Sequence, residues 1–464
     1  MLQRIFLIWL IYSLFFVSCK DKTKTYTPAV TVVEGQLASV ENPLITLQTD
    51  VENKAPIDPS GNFVLTAKID RPGLYKIIAD HSEINLFLIP GAKVSLTGDI
   101  RNPNTFKFKG TNALENNYLV QYESLKSSSP DQDFTNFFSQ NETNFINAVE
   151  QRTQAFLSDQ QSYQKDNGTF NDEFAELMMD ELQYDGANLK LNYPDFHDYL
   201  KPDSALVMSD TYDSFLQNLE IDDESKLAIP AFQTFLTLYL TFKTTQEKTD
   251  SLTPFFAKKF NNIGIKFQNS KIKDLLYYLL MKDGLQTSIN DAAATINDFN
   301  KLEKNQKYLD EINTEYAKWT HLLKGKPSPT WSYKDANGVK HSNTSYQGKV
   351  VYIDIWASWC GPCLRELPFI HTLEEQYKDK VAFVSISIDA SKDEWLDILQ
   401  SKKLKGSQLI ADADWHSSIV TDYRIDGIPR FIILAKDGTI YNANAPRPSS
   451  KEIRAELNAA LEFH

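Results

Sequence analysis

Three cysteines stand in this 464-residue chain, at positions 19, 360 and 363. Two of them form Cys360-Gly361-Pro362-Cys363, directly after the apolar run Val350-Val351-Tyr352-Ile353-Asp354-Ile355-Trp356-Ala357 and the pair Ser358-Trp359. A Cys-x-x-Cys pair serves either zinc or dithiol chemistry. Zinc needs two further ligands. No second cysteine pair exists, and the seven histidines (His81, His197, His321, His341, His371, His416, His464) are scattered without an H-E-x-x-H pattern. Dithiol chemistry with no metal and no cofactor beyond a redox-active disulfide is therefore expected. The apolar run reads as a buried strand feeding a helix that begins at the cysteines. A helix N-terminus carries unsatisfied N–H groups and partial positive charge. A thiolate at Cys360 is stabilised there, lowering its pKa from about 8.5 towards about 7. Cys360, the N-terminal and more exposed cysteine, is the expected nucleophile. Cys363, one turn into the helix and shielded, is the expected resolving thiol. Pro362 lacks an N–H and has a preset φ, which suits a first helical turn. Trp359 is expected on the contact surface around Cys360, and Trp356 in packing.

The elements around the pair alternate: strand 350–355, helix 363–377, strand 381–388, helix 392–400, short helix 417–423, strands 431–434 and 439–441, helix 451–461. That order predicts a mixed sheet flanked by helices. With its W-C-G-P-C core, the segment resembles thioredoxin, and within that superfamily the TlpA/ResA-like periplasmic oxidoreductases, over residues 325–461. The resemblance implies roles for further residues. Asp354, six before Cys360, matches a buried carboxyl that assists proton transfer from the resolving thiol; burial raises such a pKa. Glu366 matches an acidic residue near the redox pair. Gly427-Ile428-Pro429 matches the loop carrying a cis-proline beside the disulfide, where the backbone of Ile428 would pair with an extended substrate. Gly361, Pro362, Trp359, Ile428, Pro429 and Arg430 form the expected substrate-contact set. Arg430 stands where thioredoxins proper usually have Thr, and its charge beside the cysteines could favour a thiolate or select acidic partners. Gly-Pro between the cysteines resembles reducing thioredoxins, with potentials near about −270 mV. Protein disulfides are the expected substrates, and a membrane electron-relay protein the expected reductant. One rival is a thioredoxin-fold peroxidase. Its pattern P-x-x-x-[ST]-x-x-C is not met by Ile-Asp-Ile-Trp-Ala-Ser-Trp-Cys at 353–360. The other is a binding or scaffold lipoprotein whose N-terminal regions recognise a partner.

Residues 1–18 read as an export signal. Arg4 precedes an apolar core from Ile5 to Val17, too short to span a bilayer as a helix but right for a signal-peptide core. Phe16-Val17-Ser18-Cys19 resembles a bacterial lipobox, with Phe16 in place of the usual Leu, making Cys19 the expected lipidation site. Residues 19–26 are a polar tether. The expected location is the cell envelope, lipid-anchored and facing the periplasm. A net charge of −13 disfavours nucleic-acid partners, which require basic surface.

Length predicts several domains. From 27 to 111, short apolar or alternating runs are separated by turn signals such as Pro59-Ser60-Gly61-Asn62 and Arg71-Pro72-Gly73. This predicts an antiparallel β-sandwich-like domain. It resembles the β-domain of unknown function that precedes thioredoxin-like domains in Bacteroidota lipoproteins. From 112 to 324 apolar residues recur at helical spacing, as in Ile272, Leu275, Leu276, Leu279 and Leu280, predicting a helical domain. Its Tyr and Phe stripes are read as core. Lys324-Gly325-Lys326-Pro327-Ser328-Pro329 marks a boundary, and 325–464 is the expected thioredoxin-like α/β domain.

Overall fold

The computed structural model describes residues 26–49, 52–201, 206–247 and 253–463. The leader at 1–18 and the lipidation reading of Cys19 lie outside the described residues. Among those described, no helix is long and apolar enough to cross a membrane. The chain divides into two compact units, Met1–Leu238 and Tyr239–His464.

The first unit opens with eight strands: β1 (Ala29–Ala38), β2 (Leu44–Gln48), β3 (Glu52–Pro56), β4 (Asn62–Ile69), β5 (Gly73–Ala79), β6 (Ser82–Leu88), β7 (Lys93–Asp99) and β8 (Asn102–Gly110). They form two sheets, ordered β4-β1-β7-β8 and β3-β2-β5-β6. In β4 the alternation is strict: Phe63, Leu65, Ala67 and Ile69 are buried while the residues between them face water. One core, including Val33, Leu65 and Leu96 from one sheet and Ile45, Leu47 and Ile77 from the other, fills the space between them. The expected antiparallel sandwich needs one correction: β1 and β7 run parallel, from Val32 opposite Lys93 to Ala38 opposite Asp99. Parallel neighbours need a long crossover, and here the intervening chain supplies the other sheet. Four helices follow: α1 (Ala113–Ser127), α2 (Phe134–Phe138), α3 (Glu142–Asn167) and α4 (Asp172–Leu200). Their aromatic residues pack as core, with Phe145 stacked on Tyr193 at 4.1 Å and Phe174 edge-on to Phe87 of β6 at 5.2 Å. Arg152, buried on α3, bridges Asp131 at 2.5 Å and Asp185 at 2.6 Å.

The helix α5 (Pro230–Thr245) crosses the division between units. The second unit continues with α6 (Phe255–Lys266), α7 (Ser270–Thr287), α8 (Ile289–Leu302) and α9 (Gln306–Trp319). The helical stretch 112–324 is thus shared between two packing units, and its sequence limits mark changes of secondary structure. The α/β part comprises β9 (Ser332–Asp335), β10 (Lys340–Ser342), β11 (Val350–Trp356), α10 (Gly361–Tyr377), β12 (Val381–Ser387), α11 (Lys392–Lys402), β13 (Ser407–Ile410), α12 (Ser418–Asp422), β14 (Arg430–Leu434), β15 (Ile440–Asn442) and α13 (Ile453–Glu462). Its sheet is ordered β10-β9-β13-β12-β11-β14-β15. All seven residues of β11 are buried, as befits a central strand covered on both faces. Tyr352 and Phe431 on one face of the sheet pack with Leu367 and Ile370 of α10 and Leu457 of α13. Within this unit α9 is tied to the α/β part by Glu315, which pairs with Arg424 at 2.6 Å.

Candidate redox site

The strand β11 delivers the chain to the cysteines at its C-terminal end. The Cys360 N–H donates to the Ala357 carbonyl at 3.1 Å, and α10 begins at the next residue. Cys360 is the N-cap: its Sγ accepts the Cys363 N–H at 3.2 Å, and its carbonyl accepts the Leu364 N–H at 3.1 Å. The two sulfurs are joined as a disulfide, with Cα atoms 5.2 Å apart. Exposure does not separate the two, contrary to the sequence expectation: Cys360 is 4% exposed and Cys363 3%. Their difference lies in position, with the cap sulfur at the positive end of the helix dipole and Cys363 inside the first turn. Gly361 and Pro362 are exposed. Trp359 is 57% exposed, and its ring lies 6.3 Å from that of the half-exposed Trp415. Trp356 is buried.

Sequence reasoning missed Asp389, the residue that holds the loop before Cys360. Buried past the end of β12, its carboxylate accepts the Ser358 N–H (2.9 and 3.1 Å), the Ser358 hydroxyl (2.7 Å) and the Ser387 hydroxyl (2.6 Å). The available signal was a carboxylate just beyond the carboxyl end of an apolar strand, where open α/β sheets build their sites.

Asp354 lies on β11, opposite Ser385 of β12 and Phe431 of β14. Side chains alternate along a strand, so Asp354 shares a face with Tyr352, the face covered by α10. Burial pushes its pKa from 3.8 up to about 8; the Glu366 carboxylate adds to the rise, and a hydrogen bond with Ser385 opposes it. Glu366, also buried, accepts the Ser449 N–H and hydroxyl, both at 2.9 Å. It thereby ties α10 to the segment following β15. The Tyr352 hydroxyl donates to the Pro446 carbonyl of that segment at 2.9 Å.

The Ile428–Pro429 peptide bond is cis. Pro429 immediately precedes β14, whose first residue, Arg430, pairs with Ile355 of β11. Pro429 and the half-buried Ile428 therefore sit at the end of β11 from which the cysteine loop departs. Arg430 is the last of the expected contact residues. Paired with Ile355, its side chain leaves the opposite face from Asp354. It is buried, and its Nε donates to the Ala443 carbonyl at 3.2 Å. Burial lowers its pKa to about 10, opposed by Asp426. Among the described residues no group of three His, Cys, Asp or Glu is arranged to hold a metal ion.

A buried mixed sheet, a disulfide capping a helix that starts at the end of a central strand, and a cis-proline across from it define a thioredoxin-like domain. Residues 348–440 match the family model described as thioredoxin-like, and the second unit carries such a domain at its C-terminal end. That part of the chain is similar to thiol-disulfide oxidoreductases, ResA among them. The thioredoxin-like protein YneN of Bacillus subtilis is 28% identical over 147 residues, covering 30% of this chain and 80% of that protein. The thiol-disulfide oxidoreductase ResA of Geobacillus thermodenitrificans is 23% identical over 145 residues, covering 31% and 82%. Among solved structures, a candidate thiol-disulfide oxidoreductase from Bacteroides vulgatus is 35% identical, over 30% of this chain and 99% of that one, with a TM-score of 0.29.

Proposed function

We propose that the chain is a thiol-disulfide oxidoreductase of the cell envelope that reduces protein disulfides through Cys360 and Cys363. In the reduced enzyme the Cys360 thiolate attacks one sulfur of a target disulfide. The target S–S bond breaks, a new bond joins the target to Cys360, and the departing sulfur takes a proton. Cys363 then gives up its proton and attacks the Cys360 sulfur. The mixed disulfide breaks and the second target sulfur leaves as a thiol. Two electrons and two protons pass to the target, and the Cys360–Cys363 disulfide is left. Asp354 is the proton acceptor for Cys363, since a buried carboxyl with a pKa of about 8 exchanges protons near neutral pH. Glu366 sets the field around Asp354. Trp359, Gly361, Pro362, Ile428 and Pro429 form the surface that receives the target. Recharging the pair takes two electrons and two protons from a dithiol donor. In an oxidising compartment that donor is proposed to be a membrane electron-relay protein, with anchoring through a lipid on Cys19.

The observation that carries this reading is the disulfide at the N-cap of α10, reached from a strand that carries the buried Asp354. The test is turbidimetric reduction of insulin by the full chain with dithiothreitol as donor. Cys360→Ser is expected to reduce turnover to the dithiothreitol background; turnover equal to that of the unaltered chain rejects the mechanism. A reduction potential near about −270 mV supports the reductant role, whereas one near about −120 mV makes the protein an oxidant.

A further inference from the structure

The exchange mechanism makes no use of the buried Arg430. Arg430 is 7% exposed, its Nε is held by the Ala443 carbonyl, and its Nη2 has no hydrogen-bond partner. A buried guanidinium nitrogen left unsatisfied is costly in a folded chain and calls for an explanation. Beside it opens a cavity of about 640 Å³, lined by Arg430, Pro429, Asn444, Arg447, Lys324 and Asn290 among others.

The walls of this cavity are tied in place. Asn444 Nδ2 donates to the carbonyls of Gln286 (2.9 Å) and Thr287 (3.2 Å) at the end of α7. Asn290 Oδ1, in the first turn of α8, accepts the Lys324 N–H at 2.8 Å. The segment after β15 is held at Ala443 by Arg430, at Pro446 by Tyr352 and at Ser449 by Glu366. A space fixed by so many polar contacts is a preformed one.

Three cations face the cavity. Arg430 is one, Arg447 is exposed at its rim, and Lys324 carries its ammonium over the Tyr441 ring at 3.8 Å. The acids that face it are Asp291 and Glu456, and Asp426 acts on Arg430 electrostatically. Glu456 is engaged by the Asn442 amide at 2.7 Å. Burial and the neighbouring Glu456 raise the pKa of Asp291. Among the described residues no acceptor reaches Arg430 Nη2, and a carboxylate is the group that suits the planar fork of a guanidinium.

Because Pro429 and Gly427 line the same cavity, it adjoins the place where a target strand would lie. We propose that it receives a carboxylate of the substrate polypeptide, from an acidic side chain or a free C-terminus, with Arg430 as its anchor. The protein would then select disulfides by the acidity of the surrounding chain. This rests on the reductase reading above.

The test uses four synthetic peptides with one internal disulfide, carrying Glu or Gln two residues from a cysteine and a free or amidated C-terminus. With the full chain, the peptide bearing the preferred carboxylate is expected to show a KM on the order of tenfold lower than its Gln or amide counterpart, as a charged hydrogen bond implies. The Glu/Gln and free/amide arms tell side chain from C-terminus. Arg430→Met should bring the ratio to about one. Arg430→Lys, which keeps charge without the fork, should reduce it severalfold, and serves if the Met variant does not fold. Equal KM for all four peptides, or an undiminished ratio in these variants, overturns the proposal. Should no peptide be reduced, the reductase reading fails, and the cavity is tested alone by titrating Cys-to-Ser versions of the peptides against the oxidised full chain. A Kd difference of about tenfold, lost in the Arg430 variants, supports it; equal Kd values overturn it.

Discussion

Replacing Asp354 with Asn should make the second unit more stable, and increasingly so as pH rises. The folded-state pKa is about 8 against 3.8 for an ordinary aspartate, raised first by burial and then by Glu366. Between those values the folded chain binds about one proton more than the unfolded chain. Stability therefore falls as pH rises from 3.8 to about 8. Below that window both states are protonated, and above it both are ionised, so the slope vanishes at either end. Each factor of ten in an ionisation constant is worth about 1.4 kcal/mol. Summed from 3.8 to neutrality, the buried carboxyl costs roughly 4 kcal/mol at pH 7. An amide cannot ionise and escapes that cost. Asp354→Asn should thus match the unaltered chain near pH 4 and exceed it by roughly 4 kcal/mol at pH 7. Urea unfolding of the oxidised full chain, followed by tryptophan fluorescence, reads this directly, because every tryptophan except Trp9 lies between 319 and 415. A stability gap that does not grow with pH, or an Asn variant less stable at pH 7, would refute the burial argument.

Two further perturbations follow from the same structure. Glu366→Gln removes a negative charge that raises the Asp354 pKa, so the pH profile for resolution of the mixed disulfide should move to lower pH; stopped-flow measurement across pH 6 to 9 checks the direction, and an unmoved or upward profile counts against the coupling. Arg152→Ala leaves Asp131 and Asp185 without their shared buried cation. It should destabilise the first unit by about 3–5 kcal/mol, read by hydrogen exchange at α3, and a loss below about 1 kcal/mol would show the bridge to be water-screened.

The redox site could be read from the chain because its parts are local or periodic. Cys360 and Cys363 are one helical turn apart, and a proline within that turn announces the helix start. Asp354 could be placed in the interior because apolar residues flank it on a strand buried on both faces. Arg430 could not be placed in the same way. Its neighbourhood depends on pairing with Ile355 and on a segment that returns 13 residues later, and neither leaves a local pattern. Asp389 was hidden for a similar reason, since its partner Ser358 is 31 residues away. In the β-domain the alternation of β4 is plain, but β3 and β8 are edge strands rich in polar residues and proline, which blunt an edge and erase the alternation. The parallel pairing of β1 with β7 follows from the path of the chain between them. Helical spacing marked 112–324 as helical, yet not how its helices divide between two packing units, because an apolar stripe does not name its partner.

The central claim is that Cys360 attacks and Cys363 resolves. Its most direct test is intact-mass and peptide-mapping spectrometry of the full-length Cys363→Ser variant, reduced and then mixed with a defined disulfide peptide. The mechanism predicts a stable adduct of one half-peptide, linked through Cys360 and released by dithiothreitol. No adduct, or one that dissolves as fast as in the unaltered chain, would contradict it.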